Sequence, residues 1–308
     1  MRRDSLLAWL ICVLVIPSLA SCATASAAPL PTVRLHETSP LPTVEHTVTP
    51  LRMAVAAIIS PQGTVTSYQP LQELLAQRFG RPVELVQRRT YAETNELIRR
   101  GEVDLAFVCT RAYVVGHREF GMTLLAAPEV NGERSYHSAI IVRAENPAQT
   151  VDDLRGGVFA FTDPLSTSGY LYPVVYLKEI GETPESFFRR TMFTYSHDRA
   201  IYAVFEGVAD AAAVDSLVLD YAMERDPRLR DGLRVLHLSP PFGMPPVVIG
   251  PGVRPQTAAL LKEFLLTLQD SPEGRIALES LGVDHFVPVQ DEEYDSVRAL
   301  EEKLERDP

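Results

Sequence analysis

Short apolar segments rich in valine, isoleucine and alanine alternate with amphipathic segments from Leu51 onwards. LRMAVAAI precedes YQPLQELLAQRFG, PVELVQ precedes YAETNELIRRG, and VDLAFVC precedes a helix that is predicted to begin near Thr110. A second set follows, GVFAFT, TMFTY and DAAAV, with helices predicted from about Thr167, from about His197 and over residues 216–223. This alternation predicts parallel β-structure with helices on both faces.

The segments between and after these two sets predict a hinge. SYHSAIIVRAE joins the first set to the second as an extended connector, and LRVLHLSPPFGMPPVVIGPGV, dense in proline and glycine, returns from the second. Two strands that cross between lobes allow one lobe to rotate against the other. We therefore expect an α/β protein of two lobes, each a mixed, mostly parallel sheet flanked by helices. Lobe I takes residues 51–140 and 245–308, completed by helices at 255–269 and 291–305, and lobe II takes 141–244 with the hinge strands.

The first fifty residues do not fit this pattern. MRRDSLLAWLICVLVIPSLASC has two arginines before an apolar run that is short for a membrane span, so residues 1–21 are predicted to be a signal peptide. Its end resembles the lipobox of bacterial lipoproteins, which implies a lipid on Cys22; the alternative is an ordinary secretory signal with an incidental cysteine. Residues 22–50 carry five prolines and no helical or strand period, which predicts an extended tether. The body would then be extracytoplasmic, anchored by lipid to the cell membrane or outer membrane and facing the periplasm.

Charge and cysteine content narrow the function further. The formal net charge is −11 at pH 7, which disfavours nucleic acid and anionic lipid as partners. Of three cysteines, Cys12 lies in the predicted signal and Cys22 at its end, which leaves Cys109 without a predicted partner and excludes a disulfide scaffold. No HExxH or CxxC spacing is present, so we expect neither a metal nor another cofactor.

The stretch TDPLSTSGY follows the predicted strand GVFAFT at its carboxyl end and opens a helix. Ser166, Thr167 and Ser168 therefore fall at the helix cap and in its first turn. Hydroxyl groups and unpaired backbone N–H groups there can bind an anion. Serine and threonine also favour such positions as plain caps, so the local sequence leaves both interpretations open.

Other predicted strands end in polar residues that would face the same cleft. Cys109, Thr110 and Tyr113 follow one strand, His197 follows a second, and Asp215 ends a third. Ligands of open α/β sheets bind at the carboxyl ends of the strands. A histidine there can donate to an oxyanion and become cationic at little cost, since its ordinary pKa is near 6.5.

DDLRGGVFAFTDPLSTSGYLYP followed by SHDRAIYAVFEGVADAAAVDS resembles the substrate-binding proteins of ABC importers for phosphonate, phosphite and phosphate, which are type II periplasmic binding proteins. The resemblance implies a monomer that captures a small oxyanion for an ABC permease and is not an enzyme. It implies that Ser166, Thr167 and Ser168 bind the oxyanion and that His197 is a further donor. It also implies ligand contacts from Tyr68, Tyr113 and Asp215, and with Cys109 and Thr110 these residues complete the predicted site.

Two features depart from the family pattern. Relatives often carry an aspartate in the return strand, where PPFGMPPVV is apolar, and many have a small or glycine-rich turn where this chain has Cys109 beside Arg111. Cys109 is expected either to be a small buried side chain or to bind a thiophilic centre, as in members of the family that sense arsenite and signal to a membrane histidine kinase. Arg111 is expected to point to solvent; the alternative is that it complements an anion. A hydrolase built from a serine, His197 and Asp215 is a more remote alternative, because no nucleophile turn surrounds the serines.

Overall fold

The computed structural model describes residues 48–306, so the predicted signal peptide, Cys22 and most of the predicted tether lie outside the described residues. Within them the strands are β1 Leu51–Val55, β2 Val83–Gln87, β3 Leu105–Phe107, β4 Thr123–Glu129, β5 Ser135–Tyr136, β6 Ser138–Arg143, β7 Val158–Phe161, β8 Arg190–Phe193, β9 Ala211–Asp215, β10 Leu233–Leu238, β11 Phe242–Gly243, β12 Val247–Ile249 and β13 His285–Val287. The α-helices are α1 Pro61–Phe79, α2 Tyr91–Arg99, α3 Thr110–Phe120, α4 Tyr172–Glu179, α5 Pro184–Phe187, α6 His197–Phe205, α7 Ser216–Arg225, α8 Pro227–Gly232, α9 Pro255–Leu266, α10 Pro272–Leu281 and α11 Asp295–Glu305. No helix between residues 48 and 306 is long and apolar enough to cross a membrane.

Lobe I is built on a six-stranded sheet with the order β13-β4-β12-β3-β1-β2. β1 lies parallel to both β2 and β3, as the alternation of apolar and amphipathic segments predicts. β12 is antiparallel to β3 and to β4, because it comes from the returning segment. The three parallel strands therefore end at one edge of the sheet, where α2 and α3 begin.

Lobe II is built on a five-stranded sheet with the order β10-β6-β9-β7-β8. β7 is parallel to β8 and to β9, whereas β6 is antiparallel to β9 and to β10. β9 is buried over its whole length, since both of its faces are covered by helices. The carboxyl ends of β7 and β9 point to the cleft between the lobes, and the segments that follow them carry most of the predicted site.

The two segments that cross between the lobes are more regular than predicted. SYHSAIIVRAE is not only a connector, because it forms β5 and then β6, an interior strand of the second sheet. The predicted lobe boundary after residue 140 therefore falls inside a strand. The returning segment forms β10, β11 and β12, and β11 pairs with β5 in a two-stranded ribbon that joins Tyr136 to Phe242. This ribbon lies where the hinge was predicted.

Helix α1 begins at Pro61, earlier than the predicted helix, which opened at Tyr68. Gly63 and Pro70 argue against a helix in this stretch, since both weaken a helix interior. Tertiary packing prevails, because the side chains at helical spacing, Thr64, Ser67, Leu71 and Leu75, are buried. Tyr68 consequently lies within a helix and not directly after a strand.

The sequence analysis assigned the last helix to lobe I. In the structure this helix, α11, contacts both lobes. Arg111 of α3 donates to Glu301 of α11 at 3.0 Å, which ties α11 to lobe I. On the other side Lys303 pairs with Glu179 of α4 at 2.6 Å, which ties it to lobe II. The side chain of Arg111 also donates to the carbonyl of Pro164 at 2.7 Å, so it does not point to solvent as predicted.

We expect Glu301→Ala to lower the free energy of unfolding by about 2–3 kcal/mol, because it leaves the largely buried guanidinium of Arg111 without its carboxylate. The side chain of Glu301 is only 7% exposed. Urea denaturation followed by circular dichroism measures the change. Glu302→Ala is the matched control, since Glu302 is exposed and pairs only with Arg306, and it should change stability by less than about 0.5 kcal/mol. Equal effects of the two substitutions would contradict the structural role of Glu301.

Candidate functional site

Two helical segments from opposite lobes meet with their N-termini in the cleft. Cys109 is the cap of α3 in lobe I, and Ser166 is the cap of a π-helical turn, Thr167–Leu171, in lobe II. The hydroxyl of Thr167 accepts a hydrogen bond from the backbone N–H of Arg111 at 3.0 Å and lies 2.5 Å from the hydroxyl of Thr110. Thr167 therefore satisfies a donor of α3 that its own helix leaves free.

The three hydroxyls of the predicted anion cradle have three different environments. Ser166 Oγ accepts from Gly169 N at 3.0 Å, so this serine is a cap. Thr167 links the lobes. Ser168 Oγ is buried and has no hydrogen-bond partner among residues 48–306. Of the three, Ser168 has the hydroxyl that is free to bind a ligand.

The backbone around Ser168 is fixed by close packing. Its carbonyl accepts from Ser138 Oγ at 2.6 Å, and Ser138 belongs to β6. A Cβ atom on Gly169 would lie 1.8 Å from Oγ1 of Thr162 and 2.8 Å from both Cβ and Cγ2 of that residue, which directly follows β7. Only glycine therefore fits at this position. The turn is therefore held rigidly at the strand end.

Two tyrosines that the sequence analysis did not include lie in the same cluster. Tyr91 opens α2, and its hydroxyl is buried without a hydrogen-bond partner in the described part of the chain. The hydroxyl of Tyr136 lies 2.9 Å from that of Thr110. Burial raises the pKa of both phenols, and the neighbouring Cys109 and Asp215 raise it further, so both remain protonated donors. Tyr91 could have been found, because it follows the predicted strand PVELVQ at its carboxyl end; Tyr136 lies in a segment that was interpreted as a connector.

Tyr91 is positioned by the same stretch that supplies the serines. Its backbone N–H donates to Asp163 Oδ2 at 3.0 Å, while Asp163 Oδ1 accepts from Leu165 N at 2.8 Å. Asp163 is therefore a carboxylate of lobe II that binds the first turn of α2 in lobe I. The contact ties the start of α2 to the stretch that leads into the turn at Ser168.

His197 is neutral, which corrects the expectation that it becomes cationic at little cost. Its ring is buried, and burial lowers its pKa to about 3. Nδ1 accepts a hydrogen bond from the backbone N–H of Asp215 at 2.9 Å, so the proton of the neutral ring is on Nε2. His197 is thus a fixed neutral donor, and its own backbone N–H donates across the cleft to Ile58 O at 2.9 Å.

Asp215 is both a helix cap and a buried acid. Its Oδ1 accepts from Leu217 N at 2.8 Å at the start of α7. Burial raises its pKa to about 7, although the hydrogen bonds from the backbone N–H groups of Leu217 and Val218 act to lower it. The carboxyl group therefore exchanges its proton near neutral pH, and it can donate to or accept from a ligand.

The arrangement does not form a catalytic triad. In a triad the acid orients the histidine through Nδ1–H. Here Nδ1 accepts from the backbone of Asp215, and the carboxyl group of Asp215 is turned to the first turn of α7. Residues 48–306 also contain no group of three or more histidine, cysteine, aspartate or glutamate side chains arranged to hold a metal ion.

Cys109 lies inside the cluster, with its sulfur 4.0 Å from Thr167 Oγ1. The side chain is buried, and burial raises the pKa of its thiol, so sulfur is present as the thiol. Thr110 is likewise in the cluster through its contacts with Thr167 and Tyr136. These two predicted site residues are brought together with the serine turn.

Tyr113 and Tyr68 are not in the hydroxyl cluster. The hydroxyl of Tyr113 donates to Asp291 Oδ1 at 2.5 Å, and its ring packs against Tyr294, so it serves the contact between α3 and the C-terminal segment. Tyr68 packs edge-on against Phe107 at 4.9 Å between ring centres. The ligand contacts of Tyr113 and Tyr68 stay predictions, with Tyr113 one turn into α3 and Tyr68 within α1.

Comparison with known proteins agrees with this geometry. Residues 53–294 match the family described as the periplasmic substrate-binding protein of phosphonate ABC transporters. The phosphate-import protein PhnD of Mycolicibacterium smegmatis is 36% identical over 167 residues, which cover 51% of this chain and 52% of that protein, so the chain spans about half the length of this relative. The phosphonates-binding periplasmic protein of Escherichia coli is 25% identical over 255 residues, which cover 81% of this chain and 75% of that protein.

A solved structure shares the fold. The binding protein component of an ABC phosphonate transporter from Pseudomonas aeruginosa superposes with a TM-score of 0.78 at 22% identity, covering 83% of this chain and 87% of that chain. At this identity the likeness concerns the fold, which is that of type II periplasmic binding proteins. The expected two-lobed α/β architecture is therefore confirmed.

The raised pKa of Asp215 predicts a pH dependence of stability that Asp215→Asn removes. A carboxyl group whose pKa is raised from 3.8 to about 7 contributes its stability fully below about pH 4, and this contribution is lost as the pH rises to about 7. Asparagine keeps a capping oxygen for α7 and cannot ionise. Between pH 4 and pH 8 we expect the wild type to lose stability relative to the variant by on the order of a few kcal/mol.

Thermal denaturation of both proteins at pH 4, 6 and 8 measures this difference. His197 has the opposite pH dependence: because its pKa is lowered, its contribution to stability is complete above about pH 6.5 and is lost at lower pH. This contribution is the same in both proteins and cancels in the difference between them. Asp231→Asn changes an exposed carboxylate and is the control. A difference between wild type and Asp215→Asn that stays constant from pH 4 to pH 8 would show that Asp215 ionises normally.

Proposed function

The chain belongs to the family of periplasmic substrate-binding proteins of phosphonate ABC transporters, and from this premise we propose that its cleft captures a small phosphorus oxyanion: a phosphonate, phosphite or phosphate. The protein acts outside the cytoplasm and is not an enzyme. The bound oxyanion would lie between the turn at Ser168 in lobe II and the starts of α2 and α3 in lobe I.

The observation that carries the proposal is a pair of buried hydroxyls from opposite lobes. Tyr91 OH and Ser168 Oγ have no hydrogen-bond partner among residues 48–306. Leaving such a group unpaired costs about 1–3 kcal/mol. An oxyanion between the lobes would accept from both hydroxyls, and it would thereby favour the closed arrangement of the lobes.

The other donors of the site are neutral as well. His197 supplies Nε2–H, and Tyr136 supplies a phenol held by Thr110. The N-termini of α3 and α6 supply partial positive charge, which suits an anion in a chain of net charge −11. A site of this kind binds the anion without a lysine or arginine side chain in contact.

The chemistry of Asp215 suits a ligand that carries a proton. A protonated phosphate or phosphite oxygen can donate to the carboxylate, and the protonated carboxyl can donate to an unprotonated oxygen. Sulfate has no proton to offer at neutral pH. The names of the relatives, phosphate-import and phosphonates-binding, support a phosphorus oxyanion and leave its substituent to experiment.

The receiving partner and the anchor are further parts of the proposal. A substrate-binding protein of this family delivers its ligand to an ABC permease, which we propose as the partner. Cys22 would carry a lipid that keeps the protein at the membrane.

The second candidate function is a sensor that binds arsenite and signals to a membrane histidine kinase. One observation favours it: the thiol of Cys109 lies beside Thr167 and Tyr136 in the cluster.

Isothermal titration calorimetry with phosphate, phosphite, methylphosphonate and sulfate tests the oxyanion proposal. We expect binding of at least one phosphorus oxyanion and a tenfold to hundredfold rise of its Kd in Ser168→Ala and in Tyr91→Phe, since each removes one hydrogen bond to a charged ligand. Ser296→Ala, on the exposed face of α11, is the control and should leave Kd unchanged. The proposal fails if none of the phosphorus oxyanions binds.

Arsenite and the variant Cys109→Ser separate the two candidate functions. A transport protein for phosphorus oxyanions should keep its Kd for them within about threefold in Cys109→Ser and should not bind arsenite, because the thiol would only fill space. Binding of arsenite alone, abolished in Cys109→Ser, would instead establish the sensor.

A further inference from the structure

A cavity lies between the lobes beside the hydroxyl cluster. Its volume is about 170 Å³. Lobe I contributes the ends of β1 and β3 and the segment after α10, and lobe II contributes the first turns of α7. The lining is apolar for the most part, as represented by Val55, Val108, Leu217, Val218, Val283 and Phe286.

The cavity adjoins the proposed oxyanion site through three residues. Val108 lines it and directly precedes Cys109. Ile58 lines it and accepts the hydrogen bond from His197 N. Asp215 is the third, since it lines the cavity while its backbone N–H donates to the ring of His197. A ligand bound at the hydroxyl cluster therefore has this cavity on one side.

The polar side chains of the cavity are few, namely Ser67, Tyr68, Asp215 and Tyr221. Ser67 Oγ and Tyr221 OH lie 2.7 Å apart, which joins α1 of lobe I to α7 of lobe II and closes one wall. Asp215 is the one carboxyl group in the lining, and no lysine, arginine or histidine lines it. The returning segment contributes Pro245, whose side chain offers no acceptor to an ammonium group.

We propose that this cavity receives the organic substituent of a phosphonate and that the substituent is uncharged and apolar, up to about the size of a phenyl group. The inference rests on the proposed function, because it requires the phosphonate group to bind at Tyr91 and Ser168. Size supports it, since an apolar cavity of about 150 Å³ in another protein binds benzene. Burying each methylene tightens binding by up to about fourfold.

An aminoalkyl substituent fits this lining less well. A buried ammonium group needs a carboxylate and further acceptors to offset the loss of its hydration. Here it would meet Asp215, whose oxygen is already shared with the first turn of α7, the hydroxyl groups of Ser67, Tyr68 and Tyr221, and otherwise apolar side chains. The cavity therefore favours a hydrocarbon group over an ammonium group of equal length.

Calorimetric titration of the purified full-length protein with methyl-, ethyl-, butyl-, phenyl- and 2-aminoethylphosphonate tests the inference. We expect Kd to fall two- to fourfold per added methylene from methyl to butyl, phenylphosphonate to bind at least tenfold more tightly than methylphosphonate, and 2-aminoethylphosphonate to bind more weakly than ethylphosphonate. Methylphosphonate reports on the oxyanion site alone. If no phosphonate binds, the proposed function fails; if methylphosphonate binds but the larger apolar compounds bind more weakly, only the inference about the cavity is overturned.

A variant that fills the cavity gives an independent arm. Val283 lines the cavity, whereas Val253 is an equally half-buried valine of the same hydrophobic cluster that does not line it. Val283→Phe should raise the Kd of phenylphosphonate at least tenfold and change that of methylphosphonate by less than twofold, and Val253→Phe should change neither.

Either of two results would overturn the inference. The wild type binds 2-aminoethylphosphonate more tightly than ethylphosphonate, or a folded Val283→Phe variant keeps the wild-type Kd for phenylphosphonate. Should Val283→Phe fail to fold, the ligand series with the wild type still decides.

Discussion

Hydroxyl groups buried between the lobes must find hydrogen-bond partners, and this requirement organises the cleft. The hydroxyl of Thr167 meets it by accepting from Arg111 N and contacting Thr110, so a side chain of lobe II completes the first turn of a helix of lobe I. Ser168 and Tyr91 do not find partners within residues 48–306. The contrast between these satisfied and unsatisfied hydroxyls in one small volume distinguishes the groups that hold the lobes together from those that are free to bind.

Apart from Asp215, the site achieves its polarity with donors that carry no charge at neutral pH. Burial keeps His197 neutral and the tyrosines protonated, while Asp215 is held near the point where it exchanges its proton. Burial of full charges would have cost more, since a buried ion needs a partner of opposite sign. Fixed dipoles and neutral donors can bind an anion without that cost, and an acceptor such as Asp215 distinguishes ligands by whether they offer a proton.

Much of this could be read from the sequence, because strand ends in α/β sheets are marked by a change from apolar to polar residues. That rule puts Ser166, Thr167, Ser168 and His197 after the ends of strands and Asp215 at a strand end, which is where the elements of the structure have them. It could not distinguish Ser166, which caps its own turn, from Ser168, which does not, because the difference depends on contacts that the fold creates. It gave no sign that the hydroxyl of Tyr113 would bind Asp291, and it missed Tyr136, because β5 and β6 lie in a segment that was interpreted as a connector. The strand-end rule could not predict the charge of His197 either, since the pKa of the ring depends on how deeply the fold buries it.

The C-terminal helix has a consequence for how the protein unfolds. α11 is held to lobe I by Arg111 and to lobe II by Glu179, and the ammonium group of Lys178 donates to the backbone carbonyl of Leu304 at 3.0 Å. A helix anchored on both lobes couples their stabilities, because neither can lose its structure without exposing surface on the other. Two lobes joined only by a ribbon could melt separately, whereas here we expect one cooperative transition in a calorimeter. The chain's last turns therefore act as a thermodynamic coupling element.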